Sequence, residues 1–139
     1  MRTSLWTQPV SPLCSGLGTP GHNTRTYMFD MTDLDKPVAV ALPPYEAEIS
    51  ATDHDGNLAY QANYTAGLHV LDISDLPQRS LKQVGSFDSI PNADGANMRS
   101  AWTAFPFFES GIVIMHTNES GMFVLKPQPS VLGADAVKP

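Results

Sequence analysis

The sequence DHDGN, beginning at Asp53, carries the side chains best suited to chemistry in this chain. Asp53, Asp55 and Asn57 are spaced like the oxygen ligands of a calcium-binding loop, and His54 lies between them. The helix–loop–helix calcium pattern does not fit, because its sixth position would be Leu58 instead of glycine and its twelfth Tyr64 instead of glutamate. We therefore expect a β-turn here, with a metal site formed by Asp53, His54 and Asp55 as the alternative.

Other candidates for catalytic or metal chemistry are sparse. No two histidines have the close HxH or HxxxH spacing that places two zinc ligands on one element, so we expect the four to be unrelated. They are His22, His54, His69 and His116. The nucleophile motif G-x-S-x-G and the glycine-rich phosphate loops do not occur, and the single cysteine, Cys14, cannot form an internal disulfide. The sequence thus favours a protein that is not an enzyme and has no cofactor.

The bulk composition indicates one acidic domain. The chain has 139 residues, a net charge of −6, 42% hydrophobic and 16% charged residues. Its eight basic residues form no run, which disfavours nucleic acid or an anionic membrane surface as a partner. No stretch approaches the roughly 20 apolar residues of a membrane span. Pro9 and Pro12 interrupt the apolar residues near the start, so no signal peptide is visible.

The element pattern predicts an all-β fold. Short runs rich in Val, Ile, Tyr, Phe and Thr alternate with Gly, Pro, Asn and Asp, which is typical of strands and turns. No window has a helical stripe of apolar residues. We predict an irregular leader over 1–24, a repeat region over 25–128 and an irregular tail over 129–139. The predicted strands are Thr26–Met31, Val38–Leu42, Leu58–Tyr64, Leu68–Ile73, Gln83–Phe87, Ala101–Phe108, Ile112–Thr117 and Met122–Leu125.

The repeat region contains a recurring strand end. FDMTDL aligns with LDISDL, which matches Asp30 with Asp72 and Asp33 with Asp75 across 42 positions. Aspartate and serine side chains in such motifs accept backbone N–H groups ahead of them, which ends a strand and reverses the chain. We expect these aspartates to serve as structural turn residues.

A third copy is recognisable from its glycine. SGMFVLKP aligns with AGLHVLDI, so Gly121 matches Gly67 across 54 positions, and both glycines lie where a hairpin needs a positive φ. Repeats of roughly 40–50 residues in β-rich sequence are typical of propeller blades, which have about four strands each. The prediction is therefore a partial β-propeller of two to three antiparallel blades.

These motifs, taken in order, resemble a known family. NLAYQANYTAGLHVLDISDLPQ, VGSFDSIP, SAWTAFPFFESGIVIMH and SGMFVLKPQ resemble the C-terminal blades of LVIVD-repeat, or choice-of-anchor B, proteins. HNTRTYMFDMTDLDKPV resembles the preceding blade, so the resemblance covers about residues 22–128. It implies a β-propeller that is exported and held at or outside the cell surface, and His54 matches a histidine of the family motif.

The chain departs from the family pattern in three ways. It holds two to three blades, whereas closed propellers have at least four. The segment before His22 does not resemble a blade, and the stretch TDHDGNLAY is shortened. We expect a binding or scaffolding module with an unknown protein or glycan ligand and self-association through unclosed blade edges. The alternatives are a truncated product without function and the rim of a metal-dependent or enzymatic site completed by missing blades or a partner chain, with Ca²⁺ as the candidate ion.

Two further groups of residues bear on binding. Asn63 and Asn118 begin N-x-[ST] triplets in predicted turns and are candidate glycosylation sites in an exported chain. The densest aromatic cluster consists of Trp102, Phe105, Phe107 and Phe108. We expect it in the core between blades, because large aromatic side chains dominate burial, with a ligand-binding surface as the alternative.

Overall fold

A computed structural model describes residues 3–8, 25–40, 51–75, 78, 80–93 and 99–132, excluding the side chains of 3–8, 25–28, 40 and 51–55. These residues form three small antiparallel sheets. The first contains β1 (Thr3–Gln8), β2 (Arg25–Asp30) and β3 (Val38–Val40). The second contains β4 (Ala51–Asp55), β5 (Leu58–Ala62), β6 (Leu68–Asp72) and β7 (Lys82–Phe87). The third contains β8 (Ala101–Phe105), β9 (Val113–Thr117) and β10 (Gly121–Leu125), followed by a single helical turn, α1 (Pro129–Leu132).

Every sheet is a simple meander. Each strand pairs with the next strand along the chain, and the spatial order in each sheet follows the sequence order. The described part of the chain is therefore mostly β, as the sequence predicts, and contains no closed sheet. The same part of the chain includes no helix long and apolar enough to cross a membrane.

Three stretches that we predict to be irregular or to form a turn contain regular elements instead. Thr3–Gln8, within the expected irregular leader, forms β1 and pairs with β2 over its whole length. Ala51–Asp55 forms β4, so the expected turn is confined to Gly56 and Asn57. Pro129–Leu132 of the expected irregular tail forms α1. The first difference arises because β1 pairs with a distant segment of the chain. Local composition does not indicate such pairing.

The hydrophobic core lies between the second and third sheets. Alternation of side chains along each strand directs one set of residues into this space, as β9 shows with Val113, Met115 and Thr117 buried. The buried apolar residues of the core are Tyr60, Ala62, Leu68, Val70, Ala101, Ala104, Val113 and Met115. The second and third sheets therefore stabilise each other by burying facing apolar surfaces.

The two central strands of the second sheet, β5 and β6, are buried on both faces. Ala59, Gln61 and Leu71 lie on the face opposite the core and each has 0% relative exposure. A sheet with one solvated face would show alternate exposed residues along β5 and β6. β5 and β6 are consequently covered on both sides, whereas β7 has exposed residues.

The second and third sheets are also joined by backbone contacts. Tyr64 and Ala101 exchange two backbone hydrogen bonds, of 3.0 and 3.1 Å, and the rings of Tyr64 and Trp102 meet edge to face at 5.8 Å. Tyr64 and Ser100 have φ values of 47° and 69°, a region that side chains other than glycine rarely adopt. This strained link fixes the start of β8 against the end of β5.

Candidate functional site

The repeated aspartates end two strands through the same set of hydrogen bonds. At the end of β2, the Asp30 carboxylate accepts the N–H of Thr32 at 2.9 Å and its hydroxyl at 2.7 Å. At the end of β6, Asp72 accepts the N–H of Ser74 at 2.9 Å and its hydroxyl at 2.6 Å. The hydroxyl bond is the main cause that lowers the pKa of each carboxyl from its ordinary value, and the N–H bond adds to it.

The second aspartate of each motif contributes to the turn that follows. The Asp33 side chain accepts the N–H of Asp35 at 3.1 Å, and its backbone carbonyl accepts the N–H of Lys36 at 3.2 Å. The backbone carbonyl of Asp75 accepts the N–H groups of Gln78 and Ser80. Asp33 and Asp75 thus both stabilise the turn after a strand end, but they do so with different hydrogen bonds.

The matching glycines close two hairpins. Gly67 precedes β6 with φ of 82°, and Gly121 begins β10 with φ of 78°. Their surroundings differ, because a Cβ on Gly67 would overlap the carbonyl oxygen of Phe87, whereas no described residue lies within 4 Å of one on Gly121. Gly67 is therefore required both for its backbone conformation and for the close approach of the chain at the end of β7.

The residue four positions before each glycine is polar and fully enclosed. In the third sheet, the Thr117 hydroxyl donates to the Gly121 carbonyl and accepts the N–H of Ser120, each at 3.0 Å. The matching residue in the second sheet is Asn63, with 0% exposure. Within the described residues, neither polar atom of the Asn63 side chain has a hydrogen-bond partner. Such a group is costly to bury and rare in folded proteins.

The two candidate glycosylation sites have opposite surroundings. Asn118 is exposed in the turn between β9 and β10, whereas Asn63 is fully buried. A glycan could extend from Asn118 without disturbing a strand, but one on Asn63 would require the end of β5 to open. Glycosylation stays a prediction for this chain.

The candidate metal-binding residues lie on a strand. Asp53, His54 and Asp55 are in β4, where the backbone register places them opposite Tyr60, Ala59 and Leu58 of β5. Their side chains lie outside the described residues, as do those of His22 and Cys14. Elsewhere in the described ranges, no group of three or more His, Cys, Asp or Glu side chains could hold a metal ion.

The two described histidines differ in their burial. His69, half-buried on β6, donates from Nε2 to the Ala66 carbonyl at 3.1 Å. Burial lowers the pKa of His69 from its ordinary value, and this hydrogen bond partly offsets the effect. His116 is exposed on β9. His69 thus supports the turn before β6.

The start of β8 is held by a carboxylate from the turn between β9 and β10. Glu119 accepts the backbone N–H of Ser100 at 2.9 Å and the Nε of Arg99 at 2.8 Å. The first of these bonds is the main cause that lowers the pKa of Glu119, and the second adds to it. Glu119 positions the strained Ser100, a role that sequence spacing alone does not reveal.

The expectation that the aromatic cluster lies in the core is wrong. The relative exposures are 45% for Trp102, 48% for Phe105, 49% for Phe107 and 39% for Phe108. The β-bulge at Trp102 and the alternation of β8 turn the rings of Trp102 and Phe105 away from the core. Phe107 and Phe108 lie beyond the end of β8, and small residues such as Ala101 and Ala104 occupy the core instead. The ring of Phe105 lies 5.1 Å from that of Phe107 and 5.2 Å from that of Phe108.

Phe105 also belongs to a wider apolar surface, the outer face of the third sheet. Strand register aligns Phe105 with Ile114 and Val124 across the three strands. The next row across the sheet consists of Thr103, His116 and Met122. We define the outer face of the third sheet by these six residues. Met122 and Val124 are 63% and 66% exposed, so a largely apolar sheet surface faces solvent.

Comparisons with known proteins give no relative for this chain. No family model, no curated protein and no solved structure matches it.

Proposed function

We propose that this chain is a non-enzymatic scaffolding or binding module built from propeller-type blades, acting at or outside the cell surface. The three consecutive meanders are its blades, and the second and third stack face to face. The location and the family come from the resemblance of the sequence motifs to LVIVD-repeat proteins.

The observation that supports the proposal most is the recurrence of one structural unit. β2 and β6 end in the same aspartate turn, and the hairpins before β6 and β10 have the same glycine conformation. The repeat therefore equates β4, β5 and β6 with β8, β9 and β10. Packing of the second sheet against the third, with the other face of β5 and β6 also covered, is the arrangement expected of neighbouring blades.

The outer face of the third sheet is the binding surface in this proposal. Exposed apolar sheet faces of this kind mark interaction sites on folded proteins. We expect a dye specific for exposed apolar surface, anilinonaphthalene sulfonate, to bind the dilute folded chain. Val124→Glu should reduce the fluorescence, whereas Leu34→Glu should have little effect. Leu34 is a matched control because it is 64% exposed and lies in the turn after β2.

Two results would contradict the proposal. Equal fluorescence of the two variants and the unchanged chain would show that this face is not an apolar binding surface. A rise of the thermal midpoint with Ca²⁺ or Zn²⁺ that is lost in His54→Ala would favour a metal-dependent site instead.

A further inference from the structure

The third sheet lacks a strand that the other two sheets have. In the first sheet β3 pairs with β2 beyond the aspartate turn, and in the second sheet β7 pairs with β6 in the same way. The strand of the third sheet that the repeat matches to β2 and β6 is β10, which pairs with β9 alone among the described elements. One edge of β10 is therefore open in the part of the chain that the structure describes.

The residues after β10 account for the missing strand. Lys126 stands where the other two copies of the repeat have their first turn aspartate, so the same turn cannot form. Pro127 and Pro129 follow, and proline has no N–H to donate to a neighbouring strand. Val131 of α1 then lies against Gly85 of β7. The chain thus leaves β10 and packs on the second sheet instead of completing the third.

The open edge presents the backbone groups of Met122 and Val124. The N–H of Asn118 bonds to the carbonyl of Ser100, beside the start of β8, at 3.0 Å. The carbonyl of Thr117 belongs to the same peptide group and points the opposite way, toward its register partner at the start of β10. Since backbone groups alternate in direction along a strand, the second and fourth residues of β10 direct their N–H and C=O groups away from β9.

The matching residues of the second sheet show what occupies such an edge. Leu68 and Val70 match the two outward-directed residues of β10 at the 54-residue offset. The register places Leu68 opposite Phe87 and Val70 opposite Gly85 of β7, which runs antiparallel to β6. The edge of β2 is likewise covered by an antiparallel strand, β3. Both covered copies therefore identify the occupant as a single antiparallel strand that bonds through the backbone.

β10 lacks the features that protect exposed edge strands from pairing. Such strands usually carry charged residues, prolines or bulges. β10 has none of these, whereas the edge strands β7 and β8 each contain a bulge and β7 also contains Lys82. Met122 and Val124 are 63% and 66% exposed, so a strand can approach this edge.

The described residues of a second copy offer no free strand of the type that fills this edge. The occupants in the two covered copies are β3 and β7, which are already paired with β2 and β6. β3 is three residues long, and β7 carries Lys82 and a bulge, so neither presents a second edge suited to pairing. The occupant is therefore expected to come from another protein.

We propose that the edge of β10 binds an extended peptide segment of another protein, which adds to the third sheet as an antiparallel fourth strand. Backbone hydrogen bonds supply the affinity in this mode of recognition, and alternate side chains supply the selectivity. The segment should carry an apolar residue opposite Met122, as β7 carries Phe87 opposite Leu68. This interaction goes beyond the binding face of the proposed function, because it uses backbone groups at an edge.

A fluorescent peptide with the sequence of residues 80–89, which includes β7, is the probe for this edge. We expect its anisotropy to rise as the full chain is added, with a dissociation constant in the micromolar range. Val124→Pro removes an outward N–H without removing a bond to β9, so it should weaken binding about tenfold or more. Val124→Thr keeps that N–H and should bind like the unchanged chain. Far-UV circular dichroism checks that both variants fold.

Peptides methylated on one backbone nitrogen test the hydrogen bonds without changing the protein. The Gly67 carbonyl bonds to β5, so Leu68 directs its groups toward β7, and its register partner Phe87 directs its own toward β6. The N–H of Ser86 faces the other way. Methylation at Phe87 should therefore weaken peptide binding about tenfold or more, whereas methylation at Ser86 should leave it nearly unchanged.

Any of three results in the peptide assay would overturn the inference. They are the absence of binding, equal binding to Val124→Pro and Val124→Thr, and equal binding of the two methylated peptides. Self-association of the unchanged chain in sedimentation velocity that Val124→Pro abolishes would identify a second copy as the occupant, and would also overturn it. Dye binding to the outer face of the third sheet is measured separately, so the proposed function is tested independently of these results.

Discussion

At the scale of single residues, Asn63 and Thr117 provide a test of the cost of an unpaired polar group. They occupy the same repeat position, and both are buried. The Thr117 hydroxyl makes two hydrogen bonds, whereas the Asn63 amide makes none with any described residue. Since an unsatisfied buried group costs about 1–3 kcal/mol, the second sheet carries a local defect that the third lacks.

Exchange of these two side chains should therefore change stability in opposite directions. We expect Asn63→Thr to raise the free energy of unfolding by about 1 kcal/mol, because it removes the unpaired amide. Thr117→Asn should lower the free energy by a similar or larger amount. Urea unfolding followed by tryptophan fluorescence measures both. A loss of stability in Asn63→Thr would show that the amide has a favourable partner in solution, such as an ordered water.

Gly67 and Gly121 separate backbone conformation from steric contact. Both have positive φ, so alanine should cost about 1 kcal/mol at either position. At Gly67 the new methyl group also meets the Phe87 carbonyl oxygen, which should raise the total to about 3 kcal/mol or more. Chemical denaturation of Gly67→Ala and Gly121→Ala measures the difference. Equal losses would mean that the end of β7 moves freely away from this turn.

At the scale of elements, the aspartate turns link strand ends to pH. The pKa of Asp72 is lower in the folded chain than in the unfolded one, where it is about 3.9. The stabilisation is therefore present above the unfolded pKa and is lost as the pH falls through the folded pKa. Asp30 should behave in the same way at the end of β2, because the same bonds lower its pKa.

The variant Asp72→Asn isolates this charge effect. Its side-chain oxygen still accepts the bonds from Ser74, but it does not titrate. Between pH 5 and pH 3 we expect the unchanged chain to lose more stability than the variant in urea unfolding. Ser74→Ala removes one of the two donors to Asp72 and should give an intermediate dependence. Parallel pH curves for all three proteins would argue against a stabilising charge at this turn.

The elements also show which features local sequence can predict. β5 and β6 were predictable within two residues, since their apolar runs are bounded by turn residues that act locally, such as Gly67. β1 was not predictable, because its pairing with β2 depends on residues about 20 positions away. The register between β4 and β5, which makes Asp53 part of a strand, is also set by pairing and not by composition.

At the scale of the whole molecule, burial was the hardest property to predict. The size of the aromatic rings predicts a place in the core, but Trp102 lies at a bulge and Phe107 and Phe108 lie beyond the end of β8. All of these rings are exposed, and Ala101 and Ala104 are in the core instead. Likewise, the triplet at Asn63 carried no sign that the residue is fully enclosed. The exposure of the rings and the burial of Asn63 both depend on how the sheets pack against each other. That packing is determined by residues several strands apart in the sequence.

The proposed blade arrangement depends most on the packing of the second sheet against the third. Their core is shared, and Tyr64 and Ala101 join the sheets through backbone bonds. Met115, fully buried on β9, faces the second sheet across this core. Truncation of such a side chain costs about 2–5 kcal/mol. If the two sheets are neighbouring blades of one cooperative unit, that loss of stability must affect both sheets.

Native-state hydrogen exchange of Met115→Ala tests this claim most directly. We predict that amides of β5 and β6 in the second sheet lose protection by the same free energy as those of β9 in the third. Loss of protection confined to the third sheet would contradict it, because the two sheets would then unfold as independent units.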